Sequence, residues 1–286
     1  MIGLRSKRII SDLVIYIVLI AMVIIWLFPL VWMIMRSFDA NMSNFSTSIF
    51  PKEFTLENYK NLFTGYDYKA FPYGRWLLNT LIVAAISCVI STLLTLMVSF
   101  ALSRLRFSAR KKLMNIALIL GLFPGFLSVI ALYYIFNQFN LTNSLIGLAL
   151  AYSLASGMGY YIVKGFFDTV PMAIDEAARI DGATKNRIFW QMIIPLSKPI
   201  IIYTILTTFI GPWCDFILAK VFIKSVNNYT VAIGIQQWLA TTDGIIYTHF
   251  ARFCAGGVLI SVPIVILYIV MQKFYVAGIT GGAAKG

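Results

Sequence analysis

The chain has 286 residues, of which 60% are hydrophobic and only 12% charged. About a quarter of a soluble domain's residues are charged, so this composition excludes an ordinary soluble domain and points to a chain that crosses a membrane several times. The net charge of +12 would suit nucleic acid, but the basic residues cluster in short segments beside apolar runs, a topology signal that argues against a nucleic-acid partner.

Residues 1–12 are polar and carry Arg5, Lys7, Arg8 and Asp12. The apolar run at 13–35 is near the roughly 20 residues that a helical span needs. A secretory signal has a shorter apolar core and a small-residue cleavage site, so this run is expected to stay as the first transmembrane helix. Residues 39–75 form a polar loop rich in aromatics, expected outside the cell. Within it Thr55 is placed to cap a short helix over 55–63, with Leu56, Tyr59, Leu62 and Phe63 on the apolar side.

Further spans are expected at about 77–102, 113–136, 145–167, 200–218 and 250–270. That makes an all-α polytopic membrane protein with six transmembrane helices. The 113–136 run is interrupted by Pro124 and Gly125. Pro29, Pro124, Pro212 and Pro263 lie inside spans, where proline frees a carbonyl and bends the helix. Such bends suit bundles that rock between two states, and they equally fit the ordinary abundance of proline in membrane helices.

Between the fourth and fifth runs lies the polar stretch 171–199, too polar to cross a bilayer itself. Pro171 suits a first helical turn, and Asp175 to Arg179 are compatible with helix. Gly182 permits a turn through φ > 0. Thr184 can cap a second helix, in which Ile188, Phe189, Met192 and Ile193 share one side and Arg187 and Gln191 the other. Pro195 and Pro199 then lead into the next apolar run. A helix–turn–helix knob between two spans is the expectation.

Six spans put both termini on one side. The N-terminus, the 104–112 loop, the 164–198 segment and the tail hold 15 of the 23 Lys and Arg residues, and the other side holds 8. The excess marks the side of the 171–199 knob and of both termini as cytoplasmic.

Catalytic groups are not apparent. There is no G-x-x-x-x-G-K-[ST] phosphate cradle, no Ser/His/Asp set, no pair of catalytic carboxylates and no metal spacing. His249, the lone histidine, reads as an interfacial polar residue. Cys88, Cys214 and Cys254 read as small core hydrophobes. Asp215 lies near the outer end of the fifth run, where an acid is a functional candidate by default. Plain solvation beside Lys220 explains it equally well. Trp213 and Phe216 suit stacking on a sugar ring or an aromatic belt. Tyr229, Gln236, Gln237 and Trp238, in the 225–249 loop, suit contacts to sugar or protein, or a loop resting on headgroups.

Glu176-Ala177-Ala178, three residues, then Gly182, with Met192-Ile193-Ile194-Pro195 further on, resembles the EAA loop of the membrane subunits of bacterial ABC importers. Two aliphatic positions depart conservatively from the Ile-x-Leu-Pro ending. The resemblance implies a type I ABC importer permease fold, with a transmembrane core at 76–272 after the first helix and a cytoplasmic tail at 273–286. It also implies a coupling helix that docks into a cytoplasmic ATPase, with Glu176, Ala177, Ala178, Gly182, Ile188 and Pro195 as coupling residues. The stretch Phe54 to Tyr59 is similar to the outer loop of sugar-importing members. The tail from Gly278, with Thr280, Gly281, Gly282, Lys285 and Gly286, resembles the end of the smaller membrane subunit of maltose/maltodextrin importers, where it enters the ATPase interface. Together these resemblances imply a non-catalytic permease subunit in a bacterial plasma membrane, importing a maltodextrin-type or other oligosaccharide. Its partners would be a second homologous permease subunit, two ATPase subunits that bind ATP and Mg, an extracytoplasmic solute-binding protein, and membrane lipid. No cofactor is expected in this chain. An ion-coupled secondary transporter would carry acids or broken helices near midplane, and the runs are nearly free of acids.

Overall fold

A computed structural model describes residues 4–40, 50–64, 69–122, 125–154, 159–239 and 249–283, with backbone alone at 4–8, 10 and 273–283. The described residues are helical apart from short connections and one isolated bridge between Asp39 and Phe54. Two units divide the chain, one of residues 1–71 and 235–259, the other of 72–234 and 260–286.

In the first unit, α1 runs Leu4–Ser37 and contains Pro29. It starts well before the expected boundary, because the polar residues ahead of the apolar run continue the helix. Its apolar side chains from Leu13 to Leu30 are exposed, as expected of a helix whose neighbours are lipid or another chain. At its end Arg36 is fully buried and pairs with Asp39. Asn58 donates to the carbonyls of Ser37 at 3.0 Å and Asp39 at 2.8 Å, which ties α2 (Glu57–Thr64) to the end of α1. The structure corrects the expected apolar side of α2. Leu62 is buried and Tyr59 half-buried, but Leu56 and Phe63 are exposed and Asn58 takes the inner position. Saturating two buried carbonyls outweighs burying one more aliphatic group. Thr55 caps locally, accepting from the Glu57 N–H at 3.1 Å. Trp32 meets Phe250 at 5.8 Å between ring centroids.

In the second unit the central element is α3 (Tyr73–Arg104), 32 residues long. It packs against α6 (Leu145–Leu154), α7 (Gly159–Thr169) and α11 (Lys198–Cys214). Its hydroxyl residues recur every four positions, Ser87, Ser91, Thr95, Ser99 and Ser103, and all are buried. That spacing lays them along one helix face, where small side chains let neighbouring helices approach.

The third and fourth spans are each two helices. α4 (Arg110–Gly121) and α5 (Gly125–Gln138) stand at 106°, and α6 and α7 at 49°. Pro124 lies outside the described residues, so its part in the first break is not described. The fifth span ends earlier than expected, at Cys214. Asp215 is extended, and a separate α12 (Ile217–Phe222) follows. The last helix, α14 (Phe250–Ala283), runs past the expected end of the sixth span into the tail.

A hydrogen-bonded shelf joins the 143 and 224–231 segments to the start of α3. The Asn143 side-chain oxygen accepts from the Lys224 and Ser225 N–H groups and from the Ser225 hydroxyl, at 2.9–3.0 Å. Asn143 does so from φ +54°, a left-handed conformation that Asn tolerates better than most residues. Trp76 Nε1 donates to the Val226 carbonyl at 2.9 Å, and Asn79 to those of Asn227 and Tyr229. Thr80 Oγ1 accepts from the N–H of Val231, the first residue of α13 (Val231–Gln236).

Candidate functional site

The 171–199 stretch forms the expected helix–turn–helix. α8 covers Met172–Ile180, with Pro171 as its N-cap rather than its first helical residue. It ends in a Schellman motif. The Ala183 N–H reaches the Ala178 carbonyl at 2.9 Å and the Gly182 N–H reaches that of Arg179 at 3.0 Å. The motif needs a left-handed residue, and Gly182 supplies it at φ +78°. Thr184 caps α9 (Lys185–Ile188), its hydroxyl accepting from the Arg187 N–H at 3.3 Å.

The next residues, Phe189–Ile193, form a π-turn before the short α10 (Ile194–Leu196), and the Ile194 N–H bonds five residues back to Phe189. Pro195 explains the wider turn. In a regular α-helix its ring would press on the carbonyl of Gln191, and widening relieves the clash. An 85° turn then leads from the 185–196 segment into α11.

Burial divides this hairpin into an anchor and a free face. Ala178, Ile188, Phe189 and Ile193 pack with Leu96 and Phe100 of α3, Val163 and Phe167 of α7, and Ile200 of α11. Arg187 and Gln191 lie on the exposed side, joined by a 2.8 Å hydrogen bond. Glu176, Ala177, Gly182 and Pro195 are exposed, whereas Ala178 and Ile188 are inside. Of the residues expected to couple, the first four face outward and the last two hold the hairpin in place.

Two features of the site are not legible in the sequence. Arg104 and Asp175 form a buried ion pair at 3.2 Å, each with a side chain 2% exposed. Arg104 also donates to the carbonyls of Phe167 and Val170, both at 2.8 Å. One guanidinium thus ties the end of α3 to the end of α7 and to the first helix of the hairpin. The two partners lie far apart in sequence, so no local spacing announces the pair. Ile180, 87% exposed at the hairpin tip, is an apolar side chain where solvent alone would favour a polar one. Nearby, Asp168 accepts from Ser103 and Lys164.

The remaining candidates lie away from the hairpin. Trp213 is buried, with its indole N–H unpaired among the described residues. Asp215 is half-buried and well satisfied. It accepts from the Tyr152 hydroxyl at 2.7 Å and from the Ile217 and Leu218 N–H groups. Lys220 does not pair with it and lies 5.3 Å over the Tyr229 ring. Tyr229 and Trp238 are buried and brace their loops from within, which corrects the expectation of an outward contact for those two. Gln236 is exposed and Gln237 half-buried. Of the tail residues, Thr280, Gly281 and Gly282 are helical in backbone, while Lys285 and Gly286 lie outside the described residues.

Among the described residues the second unit also carries an open cavity of about 910 Å³, lined by residues of α3, α4, α5, α6, α7, α11 and α12. No group of three or more His, Cys, Asp or Glu side chains suited to a metal occurs among the described residues.

The hairpin is thus anchored by burial and exposed at its tip, in a chain whose described residues include helices long and apolar enough to cross a membrane. The family model for the binding-protein-dependent transport system inner membrane component matches residues 91–280, and the chain belongs to that family. It is 36% identical over 284 residues to the galactooligosaccharides transport system permease protein GanQ of Bacillus subtilis (strain 168), with 99% of each chain covered. It is 35% identical to the maltodextrin transport system permease protein MalD of Streptococcus pneumoniae, again with 99% of each covered. Identity to the maltose/maltodextrin transport system permease protein MalG of Photorhabdus laumondii is 33%, with 91% of each covered. A solved bacterial ABC transporter involved in the import of the acidic polysaccharide alginate matches with a TM-score of 0.77 at 19% identity, over 96% of this chain and 99% of that one. The fold is that of a type I importer permease.

Proposed function

We propose that this chain is one of two permease subunits of an ATP-driven importer for an oligosaccharide, of the maltodextrin or galacto-oligosaccharide kind. The hairpin carries the proposal. Its inner face is locked to three helices by an apolar cluster and the Arg104–Asp175 pair, and its outer face presents Glu176, Ala177, Ile180 and Gly182. A push on that tip is passed to α3, α7 and α11 rather than absorbed by a loose loop. Full-length likeness to sugar permeases supports the substrate class.

In this reading the hairpin and both termini are cytoplasmic, as the excess of Lys and Arg on that side supports. Two separate ATPase subunits bind ATP and Mg and dock on the hairpin, and this chain holds no nucleotide. Thr280 to Gly286 approach the ATPase interface. A solute-binding protein delivers sugar at the opposite face, where Gln236 and Gln237 are accessible to it. Trp213 and Asp215 belong to the pathway region. ATP-driven closure moves the hairpin, and the bundle alternates access.

The test is reconstitution with co-purified partners in liposomes. ATP-dependent uptake of labelled maltotriose or a galacto-oligosaccharide is expected, together with modification of Lys185→Cys by an impermeant thiol reagent only from the ATPase side. Labelling from the other side, or uptake without an ATPase, would overturn the reading.

A further inference from the structure

A second, smaller groove of about 200 Å³ lies between the end of α3 and the second half of the hairpin. Its volume falls below the roughly 300–1,000 Å³ of drug-sized sites. Met97, Phe100 and Ala101 share one face of α3 and form one wall, with Leu105 just past the helix end. Lys185, Phe189 and Trp190, at helical spacing, form the other. The Phe100 and Phe189 rings make a buried floor, 5.0 Å apart between centroids. The rims stay open, with Met97 54% and Trp190 47% exposed. None of the outward residues of α8 lines this groove.

The groove is apolar at one end and cationic at the other. From Leu105 back to Met97 is about 12 Å along the α3 axis, so the wall descends from the basic end of a membrane-length helix into its apolar part. Lys185 stands at the polar end, and no acid lines the groove. The acids buried or bonded nearby are already committed, Asp175 to Arg104 and Asp168 to Lys164. Lys185 makes no ion pair or side-chain hydrogen bond among the described residues. Arg106, exposed, follows Leu105 directly. Trp190 has the amphipathic ring that favours the level of the headgroups.

We infer that this groove holds one anionic phospholipid, its phosphate on Lys185 and a stretch of acyl chain over Met97, Ala101 and the Phe100–Phe189 floor. Charge complementarity selects the lipid, because basic pockets between membrane helices bind anionic headgroups, and a zwitterionic headgroup gains less from an uncompensated ammonium. The two walls belong to α3 and to the hairpin, so the bound lipid braces the joint between them. The site depends on the membrane placement of α3 and not on the sugar or the ATPase.

The test uses the whole complex in nanodiscs of phosphatidylcholine, with a small share of either brominated phosphatidylglycerol or brominated phosphatidylcholine. Bromine on an acyl chain quenches an indole that it touches. The difference between the unaltered complex and Trp190→Phe isolates Trp190 from the other tryptophans. Half-quenching of Trp190 is expected at an about 5-fold lower fraction of the anionic lipid than of the zwitterionic one, the value of one basic side chain at an anionic headgroup. High salt should narrow the gap. Lys185→Arg should keep the preference and Lys185→Gln should abolish it, which separates loss of charge from loss of fold.

Equal quenching by the two lipids in the unaltered complex would reduce the groove to ordinary lipid contact and overturn the site. A preference that survives in Lys185→Gln would assign it to other cations and overturn it as well. No quenching by either lipid would show that a partner chain covers the groove. None of these results bears on the reading of the chain as a sugar permease, which the uptake experiment decides.

Discussion

Arg104 ends α3, and removing its guanidinium would strand the Asp175 carboxylate in an apolar setting. Breaking one side of a buried pair costs about 3–5 kcal/mol, and here the carbonyls of Phe167 and Val170 lose their donor as well. Arg104→Ala is therefore expected to lower the melting temperature of the solubilised complex and to depress coupled ATP hydrolysis. Arg104→Met with Asp175→Leu should recover much of the stability, since apolar replacement of a buried pair is often neutral. Gly182 makes a separate demand. A Cβ there would meet open space, so only the positive φ resists substitution. Gly182→Val should cost roughly 1–2 kcal/mol and reduce substrate-stimulated ATPase activity. Gly182→Asn should do less harm, because Asn tolerates the left-handed region. Equal activity of all three forms would show that the turn does not set coupling.

At the scale of elements, the shelf built on α3 depends on close packing. A Cβ on Gly234 would lie 2.0 Å from the Trp76 ring, and Trp76 is fully buried with its N–H committed to Val226. The ring has no easy retreat, and overpacking of this sort costs about 1–3 kcal/mol. Gly234→Ala is expected to lower the melting temperature and to speed amide exchange over 223–231, measured by mass spectrometry. Unchanged exchange would mean that the shelf does not rest on this contact. The 55–63 segment shows how a helix face can be misjudged. Periodicity pointed to Leu56 and Phe63, but two carbonyls at the end of α1 needed donors, and Asn58 turned inward to serve them.

For the whole molecule, the coupling role and the tail meet in one measurement. Deleting Thr280 to Gly286 removes the last residues of α14 and those beyond it. Membrane insertion should be unaffected, because the apolar part of α14 is intact. Substrate-stimulated ATPase activity in the reconstituted complex should fall severalfold, and full activity would remove the tail from the coupling scheme. Six apolar runs and the Glu176–Gly182 turn were legible in the chain, because bilayer crossing and a left-handed turn impose local, periodic demands on composition. The Arg104–Asp175 pair, the inward turn of Tyr229 and Trp238, and the cavity's uncharged lining were not. Each joins residues far apart in the chain, and which side chain ends up buried, paired or facing a cavity is settled only when helices pack and their polar groups must find partners.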